Sequence, residues 1–420
     1  GANYWFVDLV RYQNERGDLL LGGNMTAEQL NAMEEGRVRA TQHLEQAASL
    51  AIEGNTLKVI NLTGHKLITG YPEGRRMWLN IKWYDEQKQL IREDGAYGPL
   101  VNNSGRPVMV QNPDGQGMVQ VESILDLEDP NLRIYEALHA ITQDWAEWLV
   151  ETGFSRNLVL SYDRLTGAEG LSLGELSDQT QGSYHKSFHF VLNNRVVSDN
   201  RIPPWQMGYD EAWRRNVLPV PETQYGNPGA GGVYRHWDEV DLDGLKPAEA
   251  TSAEISLLYQ GTSWEYIQFL DAANDGSGFL GEEGEHMLEA WLNAEVPVAI
   301  EVAGDRKMVP PYVMASTNWQ GSVSKLTIGG TISGLQGFGL VLQNNGTDDL
   351  AISANGEFTF ATTLADGSDY QVSVKTQPSN PAQTCSVNQG TGTLDGADIT
   401  NVSVVCSTHN EIIFRDGFEP

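Results

Sequence analysis

Cysteine is scarce in this chain: its 420 residues include two, Cys385 and Cys406, both near the end. That excludes a disulfide-dense scaffold, so the fold must rest on an apolar core. Basic residues are scarce too, with 27 Lys and Arg against 56 Asp and Glu and a net charge of −29. So acidic a surface repels phosphate backbones and anionic lipid. It excludes nucleic acid as a partner and suits a bound cation or a basic protein. No apolar run of about 18 residues occurs, so no transmembrane helix is expected. Gly-x-Ser-x-Gly, His-Glu-x-x-His, the phosphate loop and the nucleotide fingerprint are all missing. Carboxylates are so plentiful that no dyad stands out; the sequence leans away from bond-making catalysis, with an enzyme site in the Gly/Pro loops around 199–232 as the remaining alternative. The chain begins at Gly1 with neither methionine nor an apolar leader, and reads as a processed or trimmed product, consistent with removal of a signal peptide.

What is present is 40% hydrophobic residues with 44 Gly and 11 Trp, a globular composition for two or three domains. Residues 1–54 read as a helical lead-in. Trp5, Leu9 and Tyr12 share one side, and Thr26 with Gln29 forms a capping box opening a helix that runs to about Glu53 and ends at Gly54-Asn55. From Leu57 the period becomes two, predicting strands at 57–62, 77–84 and 88–92. The spacing of Tyr135, Leu138, Ile141, Trp145 and Trp148 predicts a helix over Ile134–Glu151, and further strands are expected at 157–162 and 188–197. Residues 55–240 thus read as a β-sandwich with insertions. Residues 241–322 read as a strand and helical appendix with a linker, its Ser263-capped helix at 264–273 and a second at 284–293. Residues 323–407 carry short alternating strands between Asn, Gly and Asp turns, an Ig-like β-sandwich, and 408–420 form a tail. The expected fold class is mainly β with helical insertions: a β-sandwich core with a helical lead-in and appendix, plus a C-terminal Ig-like β-sandwich. Cys385 and Cys406 fall in that last sandwich. They predict a disulfide worth about 3 kcal/mol in the entropic picture, and an oxidising compartment.

The stretch Asn61–Asp85 is the densest in chemistry. His65 follows Gly64, and Arg75 and Arg76 stand before a strand whose Met77, Leu79, Ile81 and Trp83 share one face. A loop folding back would bring the arginines near His65, a layout for a ligand or large cofactor. It equally fits a structural loop with arginines bonded to carbonyls and carboxylates. His185 and His189, four apart, share a face if they lie on a strand. With His65 they would make a three-nitrogen metal site, or one would ligate a haem. They also fit ordinary strand residues beside Phe188 and Phe190, as His43 fits a surface or partly packed helix position and His139 a structural place beside the 134–151 stripe. Residues 271–282 approximate a calcium loop through Asp271, Asp275, Ser277 and Glu282, although Ala273 and Phe279 fall at ligand positions. The acidic run Asp238, Glu239, Asp241 and Asp243 is a second Ca2+ candidate, or a solvated edge. Trp205, Trp237 and Trp319 suit carbohydrate or partner contact, or the capping of a core.

The pattern GHK-x-x-TGYP-x-x-RR-x-W-L over 64–79 resembles a segment in the carboxy-terminal β-rich part of bacterial multihaem c-type cytochromes, which are mostly periplasmic or extracellular. GANYWFVDLV at 1–10, DNRIPPWQMGY at 199–209 and LLYQGTSWEYIQFLDAAN at 257–274 fit the same picture, so the resemblance spans roughly residues 1–315. Ile68 stands where that pattern has proline. Cys-x-x-Cys-His occurs nowhere, so this chain carries no covalent haem. The resemblance therefore implies a haem-free partner or fragment of an electron-transfer system, secreted or periplasmic, packed against a haem-bearing segment or subunit. Within it, His65, His185 or His189 would supply an axial ligand, and Arg75 and Arg76 would meet propionates. The competing expectation is a secreted binding or adhesion module for a cell-surface polysaccharide or protein. The Ig-like stretch is similar to accessory repeats of secreted bacterial proteins, and the tail THNEIIFRDGFEP to an ending seen on some secreted proteobacterial proteins.

Overall fold

The computed structural model describes residues 4–20, 24–67, 72–321, 325–365 and 367–408. Ile68, Tyr71 and the 409–420 tail lie outside the described residues. Strand content of 36% against 20% helix makes the protein mainly β. Residues 1–321 and 322–420 form two compact units.

In the first unit, the alternation of the Arg76–Tyr84 strand builds the central antiparallel sheet. Its neighbours are Ser252–Gln260, then Tyr312–Gln320 beyond; Leu90–Asp94 and Arg133–Tyr135 pair along its other side. Met77, Leu79, Ile81 and Trp83 face one way into the main core with Ile255, Leu257 and Tyr259. Trp78 faces the other way, opposite Leu258, and packs with Ile124 and Leu132. Apolar residues on both pleat faces bury the strand on both sides, which fixes its register firmly. Four helices flank this sheet: Phe6–Arg16, Ala27–Ala47, Trp264–Ala272 and Glu283–Asn293. The Thr26–Gln29 capping box and the Ser263 cap both form as the sequence predicts.

Several elements differ from expectation. The helix from Thr26 stops at Ala47, and Ala48–Glu53 is a strand paired with Thr56–Asn61. Gly54-Asn55 is its two-residue hairpin loop rather than a helix end, with Gly54 at φ 63° as such a loop requires. The expected helix over 134–151 begins at Gln143. Before it, Ala137–Thr142 is the middle strand of a three-stranded sheet between Tyr184–Lys186 and Arg195–Asp199. Leu138 and Ile141 fit a helical stripe, but pairing on both edges wins. Residues 188–193 turn rather than extend, with Leu192 N–H bonded to His189 O. Over 157–162 the pairing amounts to isolated bridges, Val159 to Ser172 and Tyr162 to Glu169.

The second unit is two four-stranded sheets around Ile328, Leu340, Leu342, Phe358, Tyr370, Val372, Val402 and Val404. Ile328–Ser333 runs parallel to Ile399–Thr408, so close that a Cβ at Gly330 would lie 1.8 Å from the Val402 carbonyl oxygen. Cys385 and Cys406 are direct cross-strand partners and form the disulfide.

Candidate functional site

The strand Thr56–Asn61 ends in a side chain that shapes the loop beyond it. Buried Asn61 accepts hydrogen bonds from the Thr63 N–H and hydroxyl, both 2.8 Å. Its amide donates to the carbonyls of His65 (2.7 Å) and Ile202 (2.9 Å). The Leu67 N–H donates to Ile202 as well, so residues 61–67 are stitched to the 199–209 segment, 141 positions away. The backbone of His65 is thereby fixed while its imidazole is exposed and makes no hydrogen bond to any described residue.

Next to it, Lys66 turns inward. Its ammonium lies 2.7 Å from Asp199 Oδ2 and donates to the Leu218 carbonyl at 3.1 Å. Arg201 grips the same carboxylate through Nε (2.8 Å) and a terminal nitrogen (2.7 Å). Burial works to raise the Asp199 pKa, but Arg201 and Lys66 together outweigh it and hold the carboxyl below the ordinary value. Burial pulls Lys66 down, opposed in part by Asp199. These ion pairs brace one wall of a cleft of about 450 Å³ lined by Gly64, His65, Arg201, Trp205, Met207 and Arg215, among others. The Pro203-Pro204 pair cannot enter a helix interior, and the Met207 N–H closes a turn onto Pro204 O, presenting Trp205 at 68% exposure. The short helix Tyr209–Arg214 supplies Glu211, which is clamped by Arg214 and Arg215.

The other expected site residues are placed differently. Arg76 is 4% exposed and has its guanidinium bonded to Gln260, Glu265 and Ser123, so it braces the core instead of meeting an outside group. Arg75 lies close enough to Tyr259 for its charge to oppose the upward push of burial on that phenol. His185 sits on the Tyr184–Lys186 strand with Nε2 2.8 Å from the Ser161 hydroxyl. His189 lies past that strand, in the turn, so the shared strand face does not exist for it. Its Nε2 donates to Val159 O at 2.9 Å, and its ring meets Phe269 edge-on. Burial lowers the pKa of both histidines, which favours neutral imidazole. The two converge on the 159–161 segment, whereas His65 belongs to the cleft. Among the described residues, no group of three or more His, Cys, Asp or Glu is placed to hold a metal ion.

In the 271–282 loop, Asp275 accepts from the Ser277 N–H and hydroxyl, and Asn274 donates to Leu280 O. Asp271, on the preceding helix, is raised by burial and then by Glu285; Glu282 stands at the entry of the next helix. The acidic run serves local structure: Asp238 accepts from the Tyr135 hydroxyl, Glu239 pairs with Arg235, and Asp241 caps a helical turn. Trp237 donates to Glu239, and Trp319 is 1% exposed in the core. Of the three expected tryptophans, Trp205 has the surface position.

Residues with no sequence signal complete the picture. Glu73, beside the arginine pair, lies 2.7 Å from His139 Nδ1. Burial pushes the Glu136 carboxyl up to about 7, against Arg76 and Lys186 and with Glu265. Its folded pKa lies above the ordinary 4.5, so the folded state holds the proton more tightly than the unfolded chain. The associated stability is full below about pH 4.5 and is lost as pH rises through about 7. Glu136→Gln is therefore expected to stabilise the protein by about 1–3 kcal/mol at pH 8 and hardly at all at pH 4. Urea unfolding at the two pH values checks this; an equal change at both refutes it.

No protein-family model matches the chain, and no curated protein matches it. Among solved structures, a penta-heme cytochrome c552 from Thermochromatium tepidum aligns with 67% of this chain and 41% of its own at 10% identity. The chain thus spans about two fifths of that protein, and the TM-score of 0.24 is too low to show a shared fold.

Proposed function

We propose that this chain is a haem-free β-rich module of a secreted multihaem cytochrome system, supporting electron transfer by packing against a haem-bearing segment or subunit. The observation that carries the reading is His65. A rigidly pinned loop presents an exposed imidazole in the lining of a cleft, and a neutral imidazole nitrogen is a haem ligand. The resemblance of residues 64–79 to multihaem cytochromes supports the same assignment. Arg76, being committed to the core, has no part in it; among the cleft cations, Arg215 is the one we assign to a propionate. The Cys385–Cys406 disulfide fits an oxidising compartment outside the cytoplasm.

In the native haem-bearing assembly, His65→Ala is expected to change the visible spectrum of one haem. Stability should stay within about 0.5 kcal/mol, since the side chain is exposed. An unchanged spectrum excludes His65 as a ligand. A second reading, a secreted binding module without redox role, is favoured by Trp205, whose exposed ring suits a sugar or protein partner. It requires retention on a polysaccharide or cell surface that Trp205→Ala abolishes.

A further inference from the structure

The walls of the His65 cleft are cationic in a chain of net charge −29. On one side Lys66 and Arg201 share a single carboxylate, Asp199. Arg215 also lines the cleft and shares Glu211 with Arg214, which lies outside the lining. Asp210, on the same short helix, accepts from the Gly231 N–H. Arg215 uses Nε toward Glu211 and lines the cleft, and its terminal nitrogens make no hydrogen bond to any described residue. Beside these charges stands an apolar surface: the exposed indole of Trp205 with Pro204 and Met207.

A guanidinium and an open aromatic face lining one cleft recognise two things together. The indole takes a flat, weakly hydrated ring face, and the planar fork takes a carboxylate through two parallel hydrogen bonds. From this juxtaposition we infer that the cleft binds a carboxylate carried on a ring, with the ring on Trp205 and the carboxylate on Arg215. The inference deepens the docking role proposed for this cleft. A haem propionate and a uronic-acid sugar both have this chemistry, and in either case His65, in the same lining, would meet a metal or a hydroxyl.

The test is calorimetric titration of the full chain with four probes: mesoporphyrin IX, its dimethyl ester, digalacturonate and its methyl ester. The expected result is that one free acid binds at least ~10-fold more tightly than its ester, by the loss of a charged hydrogen-bond partner. Arg215→Gln should erase that difference, Arg215→Lys should restore it in part, and Trp205→Ala should weaken acid and ester alike. Preference for the porphyrin acid assigns the source as haem; preference for the sugar acid keeps the carboxylate site and removes the haem reading. Equal binding of acid and ester, no binding by either acid, or an acid preference that survives Arg215→Gln overturns the inference. A His65-dependent haem spectrum alongside that result would leave the docking role standing without this site.

Discussion

Arg76→Ala is expected to destabilise the first unit by about 3–5 kcal/mol, the cost of breaking a buried charge network by removing one partner. Arg76 Nη1 lies 3.0 Å from Glu265 Oε2, Nε 3.0 Å from Gln260 Oε1, and Nη2 2.7 Å from the Ser123 hydroxyl. Arg164 meets the other oxygen of Glu265 at 3.0 Å. The network ties the start of a central strand to the first turn of the Trp264–Ala272 helix, 189 positions apart. Burial works to raise Glu265, but Arg76 and then Arg164 outweigh it, so its folded pKa lies below the ordinary 4.5. Stability from this carboxylate is therefore present above about pH 4.5 and is lost as pH falls through the lowered folded value. The penalty of Arg76→Ala should accordingly shrink in acid, where Glu265 takes up a proton. Denaturant unfolding at neutral pH and in acid well below the ordinary carboxylate range measures both; a loss under about 1 kcal/mol at neutral pH, or one independent of pH, contradicts the assignment.

Asp199→Ala should have a comparable effect, about 3–5 kcal/mol, because it removes the carboxylate shared by buried Lys66 and by Arg201. It differs in reaching the cleft directly. Lys66 belongs to the same loop as His65, and Arg201 begins the segment that presents Trp205. Loss of partner binding should therefore accompany the loss of stability. Asp199→Asn, which keeps size and a hydrogen-bonding oxygen, separates the two: it retains the shape and loses the charge. Unfolding midpoints, together with capture of the haem-bearing chain proposed as partner, measure this pair, and an Asp199→Ala variant as stable as the parent refutes it.

Local chemistry was legible in the sequence wherever one short segment decides the outcome. The Thr26–Gln29 capping box, the Ser263 cap and the alternation from Met77 to Trp83 all depend on neighbours within a few positions. The disulfide was legible because its two cysteines fall in one β-rich stretch. Residues 137–142 show where this stops. Their apolar spacing fits a helical stripe, and partners 42–62 positions downstream make them a central strand. A still longer separation hid the fate of Arg76, whose neighbour Glu265 lies 189 positions away on a different element. Glu136 was invisible for a related reason: a carboxylate's pKa is set by burial and surrounding charge, and the sequence around it is ordinary. His65 was legible as a loop histidine. The cleft around it was not, because Arg201, Trp205 and Arg215 arrive through hydrogen bonds that only the folded chain makes.

The central claim, that this module serves a haem-bearing system through the His65 cleft, meets its most direct test in material from the native source. That material should be isolated without denaturant and examined by pyridine-haemochrome spectroscopy and intact mass. The account predicts haem in stoichiometric association, carried covalently by a larger precursor or a co-purifying chain. A colourless preparation with the mass of this chain alone would contradict it.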